Sequence, residues 1–119
     1  MNHEILRDYC LQKKATSYDF PFDEEVMACR VAGKIFLLTS VLQFPVSINV
    51  KCDPEKAVEL RERYYAVKPG YHMNKTHWNT VTCDGSLSDS LIFSFIDHSY
   101  EMVVRSLSKK IRNEFQLSL

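Results

Sequence analysis

The sequence predicts one α+β domain of two layers, in which helices cover one side of an antiparallel sheet. Residues 45–51 alternate between apolar and polar side chains, which is the period of a strand with one buried face. Amphipathic helical patterns stand at both ends of the chain and between strands, so helices can cover that apolar face. The length of 119 residues suits a single domain, which we assign to residues 1–119.

The chain begins with a predicted amphipathic helix. Its apolar stripe contains Ile5, Leu6, Tyr9 and Cys10, and Asn2 is a suitable N-cap. We expect this helix to end near Lys13-Lys14 and a loop to occupy residues 15–25. The loop holds Phe20-Pro21-Phe22, which we expect to close over the core.

Three strands and a second helix follow. An Ala32-Gly33 pair between two apolar runs predicts a tight turn. Asp53 followed by Pro54 marks the start of a helix, which we expect to run to about Arg63. The three strands are assigned to residues 26–31, 34–40 and 45–51, and in the last of these Ser47, Asn49 and Lys51 point to the wet face.

The C-terminal half is predicted to contain two short strands and then helix. The strands are placed at residues 65–68 and 78–82, before two helical apolar stripes that are nearly in phase. One kinked helix fits these stripes, but we expect a break at Asp97-His98-Ser99, because Ser99 can cap a new helix. The predicted order is α-β-β-β-α-β-β-α.

The charge balance, the length of the apolar runs and the cysteine spacing limit the classes of function that we expect. Fifteen Lys and Arg balance fifteen Asp and Glu, which argues against binding nucleic acid or membrane by bulk charge. No apolar run approaches the ~20 residues that span a bilayer, and no secretory signal is visible at Met1, so a cytoplasmic protein is expected. The wide spacing of the cysteines then predicts free thiols rather than disulfides; the cysteines are Cys10, Cys29, Cys52 and Cys83. Cys10 and Cys29 fall at apolar positions of a helix and a strand, which predicts that these two are buried.

One segment combines cations with aromatic rings. Residues 63–83 contain no Asp or Glu, and this pattern suits phosphate contact together with stacking on bases or sugars. The alternative is that the aromatic residues are core and the cations are solvated. The candidate nucleic-acid-binding residues are Arg63, Lys68, Tyr71, Lys75, His77 and Trp78.

Metal, cofactor and catalytic patterns are weak. His72 and His77 stand five positions apart, a spacing that suits neither one face of a helix nor a zinc knuckle. Cys52 and Cys83 are potential nucleophiles, but nothing in the sequence pairs them with a base. We therefore expect no metal site, no cofactor and no enzymatic activity.

Five motifs follow one another along the chain. They are Phe20-Pro21-Phe22, Gly33-Lys34-Ile35-Phe36, Lys51-Cys52-Asp53-Pro54-Glu55, the stretch 69–81 and Asp97-His98-Ser99-Tyr100-Glu101. Together these motifs resemble the MmcQ/YjbR family of small bacterial proteins. The resemblance implies a compact α-β(3)-α-β(2)-α domain, called CyaY-like and related in shape to secretion chaperones. It also implies a DNA-binding role, because the family's sheet resembles the double wing of the phage transcription factor MotA.

Two functions are therefore predicted. The first is a non-enzymatic, double-wing-like domain that contacts double-stranded DNA, as a transcriptional regulator would. The alternative is a protein- or small-ligand-binding module without a nucleic-acid role, which zero net charge favours. DNA binding requires Arg63, Lys68 and Lys75 on one continuous face away from the acidic run 23–25. A closed aromatic pocket around the tryptophan would instead indicate a small-ligand binder.

Overall fold

The computed structural model describes residues 1–118, and Leu119 lies outside the described residues. It confirms the predicted α+β class, with one six-stranded antiparallel sheet and helices packed on it. The elements in chain order are α1 (His3–Leu11), β1 (Thr16–Asp19), β2 (Val26–Val31), β3 (Lys34–Ser40), β4 (Val46–Lys51), α2 (Pro54–Arg63), β5 (Val67–Pro69), β6 (Trp78–Cys83), α3 (Asp89–Ser106) and α4 (Lys109–Glu114).

The strands pair in the order β1-β2-β3-β4-β6-β5, and every neighbouring pair is antiparallel. The predicted turn between β2 and β3 consists of Ala32 and Gly33, with φ values of 47° and 83°. Two consecutive left-handed residues suit the right-handed twist of a two-residue hairpin, and glycine adopts this conformation without a Cβ clash. After α2 the chain returns to place β6 beside β4, which leaves β5 as an edge strand.

The helices pack on one face of the sheet. The long helix α3 lies against β2, β3 and β4, while α1 contacts β1 and α2 contacts β5. The core between the layers includes Leu6 from α1, Phe36 and Ile48 from the sheet, and Ile92 and Ile96 from α3, all almost fully buried. Burial of each such side chain stabilises the fold by about 1.5–3 kcal/mol before entropy is counted.

The expected helix break at residues 97–99 is wrong, because α3 continues through it. Each of the three polar residues instead bonds to another part of the fold. Ser99 Oγ donates to the Phe36 carbonyl and accepts the Lys51 N–H at 2.8 Å. His98 Nε2 accepts the Asp53 N–H at 3.1 Å, and Asp97 accepts bonds from the α1 region. These side chains attach α3 to the sheet and to both other large helices.

Smaller differences lie at element ends. Part of the predicted loop 15–25 is strand β1, a polar edge strand with no apolar alternation to reveal it. The fifth strand lies at Val67–Pro69, two residues later than expected, and α1 ends at Leu11. Two of the predicted caps are confirmed, because Asn2 and Asp53 each accept a backbone N–H in the first turn of a helix. The cap of α3 is Ser88, and the prediction of Ser99 as a helix cap is wrong.

All four cysteines carry free thiols, as expected, and all four are buried, including Cys52 and Cys83. Cys10 lies in α1 and Cys29 in β2, both in the core between the layers. Within residues 1–118, no helix combines the length and apolar character required to cross a membrane.

Candidate functional site on the open face of the sheet

The face of the sheet opposite the helices is the open face. Strand register places one residue of every strand in a row across it, because directly paired residues share a face. The row includes Lys68 on β5, Asn49 on β4 and Leu38 on β3, between the two sheet edges. Its full order is Lys68, Thr80, Asn49, Leu38, Ala28 and Asp19.

A cleft of about 430 Å³ lies over the middle of this row. Two connections bound it: the β1–β2 connection contributes Phe22, and the β5–β6 connection contributes Tyr71. In the sheet order these connections stand on opposite sides of β3 and β4, so the two rings belong to opposite walls. The lining residues are Phe22, Val26, Leu38, Thr39, Ser40, Gln43, Ser47, Asn49, Tyr71, His72 and Met73.

The Tyr71 wall is tied to the floor by a short chain of hydrogen bonds. The Tyr71 N–H donates to Thr80 Oγ1 at 2.9 Å, and the Thr80 hydroxyl donates to Asn49 Oδ1 at 2.6 Å. This arrangement fixes the Asn49 amide, since its oxygen serves as the acceptor and its NH₂ group is left to donate. The hydrogen bonds within residues 1–118 include none from that NH₂ group.

The connection that carries Tyr71 is held at both ends. The Gly70 N–H donates to the Trp78 carbonyl at 2.9 Å, and Lys75 Nζ donates to the Gly70 carbonyl at 2.9 Å. A Cβ at Gly70 would lie 2.9 Å from the Trp78 Cβ, so the close approach of the two chains requires glycine. Arg61 of α2 donates from Nε to Asn79 Oδ1 at 2.7 Å and from its terminal nitrogen to the Lys75 carbonyl.

The structure distributes the six predicted site residues over several places. Lys68 and Trp78 lie on the open face by register, and Tyr71 lines the cleft. Lys75 is committed to the Gly70 carbonyl. Two others are apart from the cleft: the Arg63 guanidinium lies 5.4 Å from the centre of the Tyr64 ring at the end of α2, and His77 is exposed beside the start of β6.

The charges on the open face are unevenly distributed. The acidic run Asp23-Glu24-Glu25 stands between two cleft-lining residues, Phe22 and Val26. Asp19 at the far edge pairs with Arg30 at 2.9 Å. In contrast, strands β4, β5 and β6 contain no Asp or Glu, and Lys51 lies directly opposite Trp78. The carboxylates thus gather at one end of the open face and unpaired lysines at the other.

Sequence reasoning did not select three residues that shape this site. Phe22 was expected to cover the core, yet its side chain is 69% exposed and lines the cleft. Arg61 shares a helix stripe with buried Ala57, four positions earlier, which could have marked it as facing the sheet. Asn49 was placed on the wet face of its strand, but only the return of β6 gives it a partner in Thr80.

Residues 1–118 hold no cluster of metal ligands, and the thiols of Cys52 and Cys83 are not activated as nucleophiles. Residues 1–118 contain no group of three or more His, Cys, Asp or Glu side chains placed to hold a metal ion. Burial raises the pKa of Cys52 and of Cys83 to about 11, so both are neutral thiols near pH 7. A thiol in that state is a poor nucleophile.

A second, enclosed cavity lies under α2 and α3, beside Cys52 and His98. Its volume of about 10 Å³ is no larger than one water molecule requires. We regard it as a packing defect between the layers. Another cleft, of about 400 Å³, lies between α3 and the residues that follow α4. The residues that line it in the described part of the chain include no pair of exposed aromatic rings, so we take the open-face cleft as the candidate functional site.

Comparison with known proteins places the chain in a family. The model of the YjbR family matches residues 11–102, which is most of the chain. The chain belongs to the YjbR family. It is 36% identical over 108 residues to the uncharacterized protein YbdF of Escherichia coli O157:H7, with 91% of this chain and 88% of the relative covered. It is 33% identical over 107 residues to YjbR of Escherichia coli K12, covering 90% and 91% of the two chains.

Solved structures of YjbR-like proteins share the fold. A Deinococcus radiodurans protein with a DUF419 domain superposes with a TM-score of 0.93 at 33% identity, over 98% of this chain and 89% of that one. A Pseudomonas syringae protein superposes with a TM-score of 0.73 at 28% identity, over 86% of this chain and 98% of that one. The family resemblance read from the sequence motifs is therefore confirmed.

Proposed function

We propose that this YjbR-family chain is a non-enzymatic binding module that takes a small, largely apolar molecule in the open-face cleft. The observation that carries the proposal is the pair of exposed rings, Phe22 and Tyr71, on opposite walls above an apolar floor at Leu38. Small-molecule sites usually have volumes of about 300–1,000 Å³, mostly apolar linings and a few polar groups that set orientation. The cleft, at about 430 Å³, has these properties.

The absence of catalysis and the cytoplasmic location are parts of the same proposal. Two buried thiols with a pKa of about 11 support a binding role over nucleophilic catalysis. Four buried, unpaired thiols are typical of proteins that work in a reducing compartment.

Fluorescence titration with the uncharged dye N-phenyl-1-naphthylamine tests the proposal. We expect saturable binding of one dye per chain, because the dye is planar and apolar and the cleft is lined by aromatic rings. The double variant Phe22→Ala, Tyr71→Ala should weaken this binding at least tenfold. Phe44→Ala is the matched control, since Phe44 is 73% exposed but does not line the cleft. Equal binding by the double variant and the wild type would refute the proposal.

Contact with double-stranded DNA is the second candidate, and one observation favours it. The β4-β6-β5 half of the open face combines Lys51, Lys68 and Trp78 without any carboxylate on its strands. Lysines can neutralise phosphates, and the indole can pack against a sugar or an unstacked base. The acidic run 23–25 beside the cleft opposes this role, which is why we rank it second.

Fluorescence anisotropy with a labelled duplex at two salt concentrations tests DNA contact. If Lys51 and Lys68 meet phosphates, the double variant Lys51→Ala, Lys68→Ala should lower the salt slope by about two. A Lys56→Ala variant is the control, because Lys56 is an exposed residue of α2 on the helix side of the sheet. A wild-type dissociation constant weaker than ~10⁻⁴ M at low salt would fall below ordinary non-specific binding and exclude the role.

A further inference from the structure

The Asn49 amide gives the cleft a directional polar group. Its oxygen is occupied by the Thr80 hydroxyl at 2.6 Å, which in turn receives the Tyr71 N–H at 2.9 Å. If the amide were reversed, its NH₂ group would face the Thr80 hydroxyl. The hydroxyl would then lose the acceptor to which it now donates. The network therefore holds the NH₂ group as the donor available to an occupant of the cleft.

The cleft walls favour a flat occupant. Phe22 and Tyr71 line opposite walls of the cleft and are each 69% exposed. A third ring bound between them would bury part of this apolar surface, which is energetically favourable. The Tyr71 ring also contacts the His72 ring, which lines the same cleft, with 4.0 Å between the two ring centroids. A planar ring that enters between the walls would cover both faces at once.

The charges around the cleft disfavour an anion. None of the residues that line it in the described chain is Lys or Arg, and three carboxylates stand at positions 23–25 between Phe22 and Val26. Asp23 is held at this rim, because its Oδ1 accepts the N–H groups of Glu25 and Val26 at 2.8 and 2.9 Å. A phosphate or carboxylate in the occupant would therefore find no Lys or Arg counter-ion among the lining residues and would lie close in the chain to this acidic run.

From these three features we propose the ligand class: an uncharged, planar heteroaromatic compound with a hydrogen-bond acceptor at its edge, a ring nitrogen or carbonyl that accepts from the Asn49 NH₂ group. This inference rests on the proposed ligand-binding function. It adds Asn49 as the specificity-determining residue, because an aromatic hydrocarbon of the same shape would cover the amide NH₂ group without accepting a hydrogen bond from it.

Indole and 7-azaindole form the test pair, since they have the same shape and differ by one acceptor nitrogen. We expect 7-azaindole to bind at least about fivefold more tightly than indole, the ratio that one neutral hydrogen bond supplies. Two-dimensional NMR reports this directly, because the side-chain NH₂ signals of Asn49 should shift with 7-azaindole and not with indole. The backbone N–H signal of Tyr71 should move with both compounds.

Asn49→Asp tests the donor, because it keeps an oxygen to accept from Thr80 and replaces the NH₂ group with a charged oxygen that cannot donate. We expect this variant to lose the preference for 7-azaindole. Asn74→Asp makes the same change of charge on the neighbouring exposed connection, where Asn74 Oδ1 accepts only from the Thr76 N–H, and should keep the preference. Retained preference in Asn49→Asp would overturn the inference.

The outcomes separate this inference from the function on which it rests. If both compounds bind the wild type equally and shift cleft signals, ligand binding stands and the acceptor requirement is wrong. If neither compound shifts cleft signals and the naphthylamine dye also fails to bind, the proposed function and the ligand class both fall. If 7-azaindole shifts only signals outside the cleft, the assignment of Asn49 is wrong.

Discussion

The two faces of this sheet use polar side chains in opposite ways. On the covered face, Ser99 bonds to two strands through one hydroxyl, and His98 and Asp97 attach α3 to the elements beside it. On the open face, Asn49 has an acceptor bond within the fold and a donor left over. The polar groups of the covered face form their hydrogen bonds within the fold, whereas Asn49 on the open face keeps a donor that a ligand can use. Substitutions on the two faces should therefore have different consequences.

The largest expected effect belongs to Ser99→Ala on the covered face. The hydroxyl is fully buried and satisfies the Lys51 N–H, so its loss leaves a buried donor unpaired. We expect urea denaturation to show a loss of about 2–3 kcal/mol in the free energy of unfolding. Ser94→Ala on the exposed side of the same helix should change it by less than about 0.5 kcal/mol. Equal effects would contradict the difference between the faces.

Arg61→Ala and Arg63→Ala form the next test, from the same last turn of α2. Arg61 satisfies the buried Asn79 side chain and holds the Tyr71 connection, so its loss should cost about 2 kcal/mol. Arg63 is exposed above the Tyr64 ring, and its loss should cost less than about 1 kcal/mol. Thermal unfolding of the two variants measures the contrast, and a larger loss for Arg63→Ala would contradict it.

His98 should make the stability of the covered face sensitive to pH. Burial lowers the pKa of His98 below its ordinary value, with Lys56 adding to the effect and Glu101 and Asp53 opposing it. The unfolded chain therefore binds a proton at His98 more readily than the folded chain does. The contribution of neutral His98 to stability is present above about pH 6.5 and is lost as the pH falls through that value. Between pH 5 and 7, the free energy of unfolding measured with denaturant should therefore change less with pH in His98→Gln than in the wild type.

The smallest effect on folding is expected on the open face. Phe22→Ala and Tyr71→Ala remove rings that are each 69% exposed, so the free energy of unfolding should change by no more than about 0.5 kcal/mol. The same variants are expected to lose dye binding in the cleft. Calorimetry and the dye titration on one preparation test both statements, and a large loss of stability would show that these rings belong to the core.

Most of the fold could be predicted because its signals are local. The alternation at Val46, Ile48 and Val50 is the pattern of a half-buried strand, and Asp53-Pro54 is a helix start; both appear where expected. The failures concern residues whose partners lie far along the chain. Ser99 resembles a helix cap until Phe36 and Lys51 are brought beside it, and β1 has only backbone pairing with β2 to define it.

The candidate site was harder to predict, because it depends on how separate segments converge. The sequence marked Tyr71 as a binding residue and placed Asn49 on the wet face of its strand. Their connection arises only because the chain leaves the sheet as α2 and returns with β6 next to β4, which brings Thr80 between them. Charge composition alone also could not show that Lys75 is occupied by the Gly70 carbonyl.

Arg61 has one more consequence for the molecule. Arg61 belongs to α2, on one side of the sheet, and its terminal nitrogen donates to the Lys75 carbonyl. The Lys75 ammonium in turn donates to the carbonyl of Gly70, which precedes Tyr71. Side-chain hydrogen bonds thus link α2 to the connection that carries Tyr71. The position of one wall of the cleft therefore depends on a helix that lies on the other side of the sheet.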